Sequence, residues 1–151
     1  MLTSGSPVPD LQLTDQDGNP ISLAALKGQK LIVFIYAQNG TGTCLKEACS
    51  LRDGYDALAA KGYRVIGISP DSEKSHRNFI AKQQLPFTLI SDPDNALVQA
   101  FGAWGEKSMY GKTYMGMLRT TFLVDENGII THVIDKVKSN DHANQILEVL
   151  G

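Results

Sequence analysis

Two stretches of the chain are apolar without interruption, and both are short. "KLIVFIY", Lys30 to Tyr36, and "YRVIGIS", Tyr63 to Ser69, are β-branched and aromatic runs of the kind found in strands covered on both faces. Between them the pattern changes period. Leu45, Ala48, Leu51, Tyr55 and Leu58 recur every three to four positions, which predicts a helix from Cys44 to Ala60, with Gly62 as its stop. Strand, helix, strand implies a crossover and a parallel pair. "DSEKSHRNFIAKQQ" predicts a second helix, capped by Asp71 or Ser72, and "FTLIS" after Pro86 a further strand. A third helix is expected from Pro93 to Phe101, ended by Gly102, and a last one from Asp141 to Leu150.

Alternating positions mark two hairpins. "RTTFLVD" and "IITHVID" flank Glu126-Asn127-Gly128, where Asn-Gly tolerates the positive φ of a tight turn. "LQLTDQDGNPISL" reads as a smaller accessory hairpin around Asp17-Gly18. Ala103 to Met117 shows no sustained period and reads as a long loop, of a length that in compact domains tends to serve function. The order of elements predicts an α/β protein: one domain over residues 1–151, with a mixed sheet flanked by helices and compatible with a thioredoxin-like fold. That fold hosts many activities, so the site has to decide among them.

Composition narrows the field. The 151 residues are 42% hydrophobic and 20% charged, enough for one sizeable core, and the formal net charge is −2. Lysines and arginines are scattered, so neither nucleic acid nor an anionic membrane surface is expected as a partner. The first residues lack both a basic start and an apolar run, and no apolar stretch approaches membrane-spanning length; a reducing cytoplasm is the expected location. Two cysteines are too few for a disulfide scaffold. They therefore call for an explanation in packing or in chemistry.

Cys44 falls in the first turn of the predicted helix, directly after the loop "NGTGT". Unpaired backbone N–H groups and the helix dipole stabilise a thiolate there, drawing its pKa below the free value of about 8.5. The plainer alternative is a small apolar side chain packed under the loop. Cys49 lies five positions on, which in a regular helix separates the Cα atoms by roughly 8 to 9 Å. A disulfide needs about 4.4 to 6.8 Å. A Cys44–Cys49 bond would thus require the helix start to unwind, while an isolated, packed thiol would not. Two thiols, with His76, His132 and His142 at no ligand spacing, do not make a structural zinc site. All three histidines read as solvent-facing, and Glu47 as a first-turn charge with a possible contact to Arg119.

"YAQNGTGTCLKEACSLRDGY", Tyr36 to Tyr55, resembles the active-site segment of peroxiredoxins of the bacterioferritin comigratory protein type, the PrxQ group. Its pattern is approximately Tyr-Pro-x-x-x-Thr-x-x-Cys-x-x-Glu-Ala-Cys. The similarity continues through "FTLISD", "YGKTYMGMLRTTFLVDENG" and "KVKSNDHANQIL", nearly the whole chain. It implies reduction of hydrogen peroxide and organic hydroperoxides by a cysteine, with no cofactor and no metal. Carried over by position, Cys44 matches the peroxidatic cysteine, Cys49 the resolving cysteine, Thr41 the hydroxyl beside the thiolate and Arg119 the pocket arginine. The implied partner is a thioredoxin or glutaredoxin-like dithiol, and the implied state a monomer. Two other readings stay open: a one-cysteine peroxidase with Cys49 structural, and a non-catalytic thioredoxin-fold binding or chaperone module. The chain departs from the pattern where Ala37 replaces the usual proline and Thr41-Gly42-Thr43 the usual Thr-Pro-Gly, which predicts a looser loop.

Overall fold

A computed structural model describes residues 1–151, the side chain of Met109 excepted. In chain order the strands are β1 (Leu13–Asp15), β2 (Pro20–Ile21), β3 (Lys30–Ile35), β4 (Tyr63–Ser69), β5 (Thr88–Ser91), β6 (Trp104–Met109), β7 (Lys112–Met117), β8 (Thr120–Val124) and β9 (Ile130–Ile134). The helices are α1 (Gly42–Asp53), α2 (Tyr55–Ala60), α3 (Glu73–Gln83), α4 (Ala96–Ala100) and α5 (His142–Leu150). Seven strands form one mixed sheet in the order β2-β1-β5-β4-β3-β8-β9. β3, β4 and β5 run parallel, while β8 pairs antiparallel with both β3 and β9.

The two apolar runs sit side by side at the centre of this sheet, in a register that sets Phe34 opposite Gly67. Their side chains divide between two cores, as a strand covered on both faces requires. Ile32, Phe34 and Tyr36 pack with Cys44, Ala48, Leu51, Leu58 and Ile146. Leu31, Val33 and Ile35 pack on the other side with Leu97, Val98, Phe101 and Phe122. Each such side chain taken fully out of water contributes about 1.5–3 kcal/mol, so the strand that leads to the catalytic loop is anchored from above and below.

Two expectations are corrected. The predicted long helix is broken at Gly54 into α1 and α2, because α5 crosses there: a Cβ on Gly54 would stand 2.4 Å from the Cβ of Ala143. Glycine alone lets the two helices approach so closely, and the Ala143 amide donates to Ser50 Oγ at 3.2 Å beside it. The predicted loop over Ala103 to Met117 is instead a second, two-stranded hairpin, β6 with β7, turned at Tyr110 and Gly111 with positive φ. Its alternation was hidden by glycine and by apolar side chains left in solvent, Tyr110 at the turn and Tyr114 and Met115 on opposite faces of β7. None of the described helices is long and apolar enough to cross a membrane.

Candidate active site

The loop after β3 delivers the chain to the start of α1. Thr41 takes the extended N-cap conformation, and its carbonyl accepts the first helical bond from the Leu45 amide at 2.7 Å. Cys44 is then the third helical residue, in the turn whose backbone N–H groups have no helical acceptor. Its side chain is buried, 1% exposed, facing the core beneath the sheet edge.

Arg119 approaches from the opposite side, in the two-residue link between β7 and β8. Its Nη2 donates to Cys44 Sγ at 2.9 Å and to Thr43 Oγ1 at 3.1 Å, and Nη1 donates to Glu47 Oε1 at 2.7 Å. The planar guanidinium thus joins the thiol to a fully buried carboxyl. Burial pushes the Cys44 thiol up; hydrogen bonds from Thr41 and Arg119, with smaller help from the backbone at Gln38 and Ala37, outweigh it and hold the thiol below its ordinary value. The Thr41 hydroxyl donates to the Gln38 carbonyl at 3.1 Å and stands within reach of the same sulfur, serving one acceptor at a time.

Behind this front lies a polar cluster that sequence reasoning missed. Glu47 Oε2 stands 3.5 Å from His142 Nε2, and both side chains are fully buried. Nε2 is also 2.8 Å from Thr121 Oγ1, and Nδ1 is 2.9 Å from Gln145 Oε1. Burial raises the Glu47 carboxyl to about 7 despite the opposing pull of Arg119, and burial lowers His142. His142 is therefore not solvent-facing, nor is His76; only His132 is exposed as expected. A signal for Glu47 existed: Cys44, Glu47, Ala48 and Leu51 share one helical stripe, so an acid stands on the face that packs inward. For His142 no local pattern distinguishes a buried helix start from an exposed one.

The loop itself is tied down more firmly than its glycines suggest. Asn39 receives a hydrogen bond from the Tyr36 hydroxyl at 2.6 Å, and its Nδ2 reaches Ser75 Oγ at 3.1 Å and His76 Nδ1 at 3.0 Å. The Asn39 amide donates to Asp71 Oδ2 at 2.8 Å. Four contacts, to Tyr36 just after β3, to α3 and to the segment before α3, thus hold the loop where proline is absent at position 37.

Cys49 has different surroundings. It lies on the same continuous helix, half-buried, with its thiol 3.7 Å from Gln83 Oε1. Arg52 Nη1 donates to the Gln83 carbonyl at 2.8 Å nearby. Both thiols are free. Among the described residues no group of three or more histidine, cysteine or acidic side chains is placed to hold a metal ion.

A buried thiol thus stands at a helix start on a mixed sheet, held by an arginine and backed by an acid. A model of the AhpC/TSA family matches residues 4–133, and the chain belongs to that family, within its Bcp and PrxQ peroxiredoxins. Peroxiredoxin Bcp of Escherichia coli is 42% identical over 149 residues, covering 99% of this chain and 96% of that one. The bacterioferritin comigratory protein of Xanthomonas campestris, studied for alkyl peroxide reduction, superposes with a TM-score of 0.89 at 35% identity, covering 97% of this chain and 96% of the other. Peroxidoxin BcpB of Mycobacterium tuberculosis gives a TM-score of 0.85 at 30% identity, with coverage of 99% and 97%. The sheet and its helices are accordingly thioredoxin-like, and the chain is a peroxidase.

Proposed function

We propose that Cys44 is the residue that reduces the peroxide, that Cys49 resolves the product, and that a thioredoxin or glutaredoxin-like dithiol closes the cycle. The observation that carries this reading is the 2.9 Å contact between Arg119 Nη2 and Cys44 Sγ at the start of α1. A thiolate there attacks the terminal oxygen of a hydroperoxide. The S–O bond forms as the O–O bond breaks; Cys44 becomes a sulfenic acid, and the departing alkoxide takes a proton and leaves as alcohol, or as water from hydrogen peroxide. Negative charge develops on the leaving oxygen, and Arg119 with the free N–H groups of the helix start is preorganised to receive it. Thr41 holds the sulfur or the substrate oxygen through its single hydroxyl proton.

Resolution follows as the Cys49 sulfur displaces water from the sulfenic acid, giving an intramolecular disulfide that the external dithiol reduces by exchange. Because both cysteines lie in regular α1, bonding needs the first turns of the helix to unwind and Cys49 to leave Gln83. The chain works as a monomer of one domain in a reducing, cytoplasmic setting.

Peroxide consumption coupled to thioredoxin tests the scheme. Cys44→Ser should lose at least about a thousandfold in rate, as removal of a covalent nucleophile does. Cys49→Ser should reduce one equivalent of peroxide and then stall, with a sulfenic acid trapped on Cys44 by mass spectrometry. Full thioredoxin-coupled turnover by Cys49→Ser would make Cys49 structural. An inert wild type would remove the catalytic reading.

A further inference from the structure

The hydrogen-bond inventory behind Cys44 is short by one proton. Gln145 fixes the account at one end: its Nε2 donates to the Lys136 carbonyl at 2.8 Å, so its Oε1 faces the Lys138 amide and His142 Nδ1, both at 2.9 Å. An oxygen that only accepts requires Nδ1 to carry hydrogen. A neutral His142 then presents a lone pair at Nε2, to which the Thr121 hydroxyl donates at 2.8 Å. Glu47 Oε2 has no hydrogen-bond partner among the described residues, is fully buried, and lies 3.5 Å from that same nitrogen. An ionised Glu47 would therefore set an unpaired carboxylate oxygen against a lone pair out of reach of water, which is costly on both counts.

One proton relieves both atoms. We propose that Glu47 and His142 hold a single proton between Oε2 and Nε2, and that this pair is a positioning element that keeps Arg119 available to the Cys44 thiolate. With the proton on Oε2, the one lone pair of Nε2 accepts from Glu47 or from Thr121, one donor at a time; with the proton on Nε2, it is aimed at the carboxylate and Thr121 turns an oxygen lone pair to the ring. Either way the pair is neutral, so the Arg119 charge is balanced by Cys44 alone. The Tyr36 phenol, kept neutral by burial, does not alter the sum, and among the described residues the basic side chains that reach Glu47 are Arg119 and His142 itself.

The pair and the thiol then compete for one guanidinium. If the pair loses its proton while Cys44 is ionised, the cluster of Cys44, Arg119, Glu47 and His142 passes from zero to −1 in a buried place, so each deprotonation opposes the other. When Cys44 becomes a neutral sulfenic acid, Glu47 takes over as the counter-ion of Arg119 and the proton is released. The effect on Cys44 rests on its proposed role as nucleophile; the shared proton does not.

Nuclear magnetic resonance of the intact protein tests this, following the His142 ring nitrogens and the Glu47 carboxyl carbon against pH. Nδ1 should stay protonated throughout, and Nε2 and the carboxyl should move with one common midpoint. In Cys44→Ser that midpoint should fall by about one pH unit, the size of a coupled buried site. Separate midpoints in the wild type, or a midpoint indifferent to Cys44→Ser, overturn the proposal, and neither requires a Glu47 variant to fold. A second arm uses alkylation of Cys44 by iodoacetamide in a Cys49→Ser background. Adding Glu47→Gln should replace a two-step pH profile by a single step at lower pH; an unchanged profile overturns the link to the thiol. A protein that shows the common midpoint but consumes no peroxide would refute the proposed function and leave the shared proton standing.

Discussion

The two thiols of α1 share a helix and little else. Cys44 is buried at the helix start and touched by a guanidinium at 2.9 Å; Cys49, five positions on, is half-buried and meets only the amide oxygen of Gln83 at 3.7 Å. Burial alone would push the Cys44 thiol up, since a low dielectric disfavours a thiolate. The Thr41 hydroxyl and the Arg119 guanidinium outweigh it and hold that thiol below its ordinary value. Reactivity at this helix is set by what points at the sulfur rather than by how much water reaches it.

The contrast breaks most severely at Arg119. Arg119→Ala should cut the rate constant for peroxide reduction by about 10²- to 10³-fold, the usual loss for a preorganised charge-stabilising donor, and should raise the pH at which Cys44 alkylates. Arg119→Lys should recover part of the thiolate but little of the rate, because an ammonium cannot reach Cys44 and Glu47 with a planar fork. Single-turnover kinetics with alkylation profiles separates the two effects.

Thr41→Val comes next. It removes a hydroxyl near a charged sulfur, worth about 1.5–3 kcal/mol, so peroxide reduction should slow by roughly 10- to 100-fold. A loss confined to substrate saturation, with the maximal rate kept, would show the hydroxyl acting on peroxide binding alone.

Stability against pH sharpens the comparison from the acid behind Cys44. Glu47 is raised from about 4.3 in the unfolded chain to about 7 in the folded one. The native state therefore binds the extra proton between those values, and the stability it contributes is full below the lower value and lost as pH rises through the higher. The histidines run the other way: burial lowers His76 and His142, so folding loses stability as pH falls below about 6.5. Between pH of about 5 and 8, denaturant unfolding should move in favour of Glu47→Gln relative to wild type by on the order of 2 kcal/mol. A constant difference between the two proteins would contradict the raised carboxyl.

The smallest effect belongs to the other thiol. Gln83→Leu should leave the alkylation profile of Cys44 unchanged and shift that of Cys49 only slightly, since a sulfur contact of 3.7 Å is weak. A large change at Cys44 would mean that the far end of α3 governs the helix start.

The central strands, the crossover helices and the placing of Cys44 at the start of α1 were legible because their signals are local: unbroken apolar runs, a three-to-four period, a thiol after a glycine loop; the roles suggested for Thr41 and Cys49 came from the resemblance. The resemblance supplied Arg119, which no spacing ties to Cys44, since 75 positions separate them. What escaped depends on contacts between distant elements. Gly54 reads as an ordinary helix glycine until α5 lies across it, and His142 reads as solvent-facing until that same crossing presses it toward Glu47. Asn39 looks like one more polar residue in a flexible loop; its four partners are Tyr36 just after β3, Asp71, and Ser75 and His76 at the start of α3. The β6 and β7 hairpin was hidden because its three glycines and exposed aromatics blur the alternation that a half-buried hairpin shows.

That hairpin carries a built-in lamp. The only tryptophan of the chain, Trp104, opens β6 opposite Met117, and the neighbouring Ala103 carbonyl accepts from the Leu118 amide at 2.8 Å, one residue before Arg119. A rearrangement that carried Arg119 away from an oxidised Cys44 would reach the indole through this pairing. A shift of its emission on adding peroxide, absent in Cys44→Ser, is the label-free signal to expect if oxidation moves Arg119.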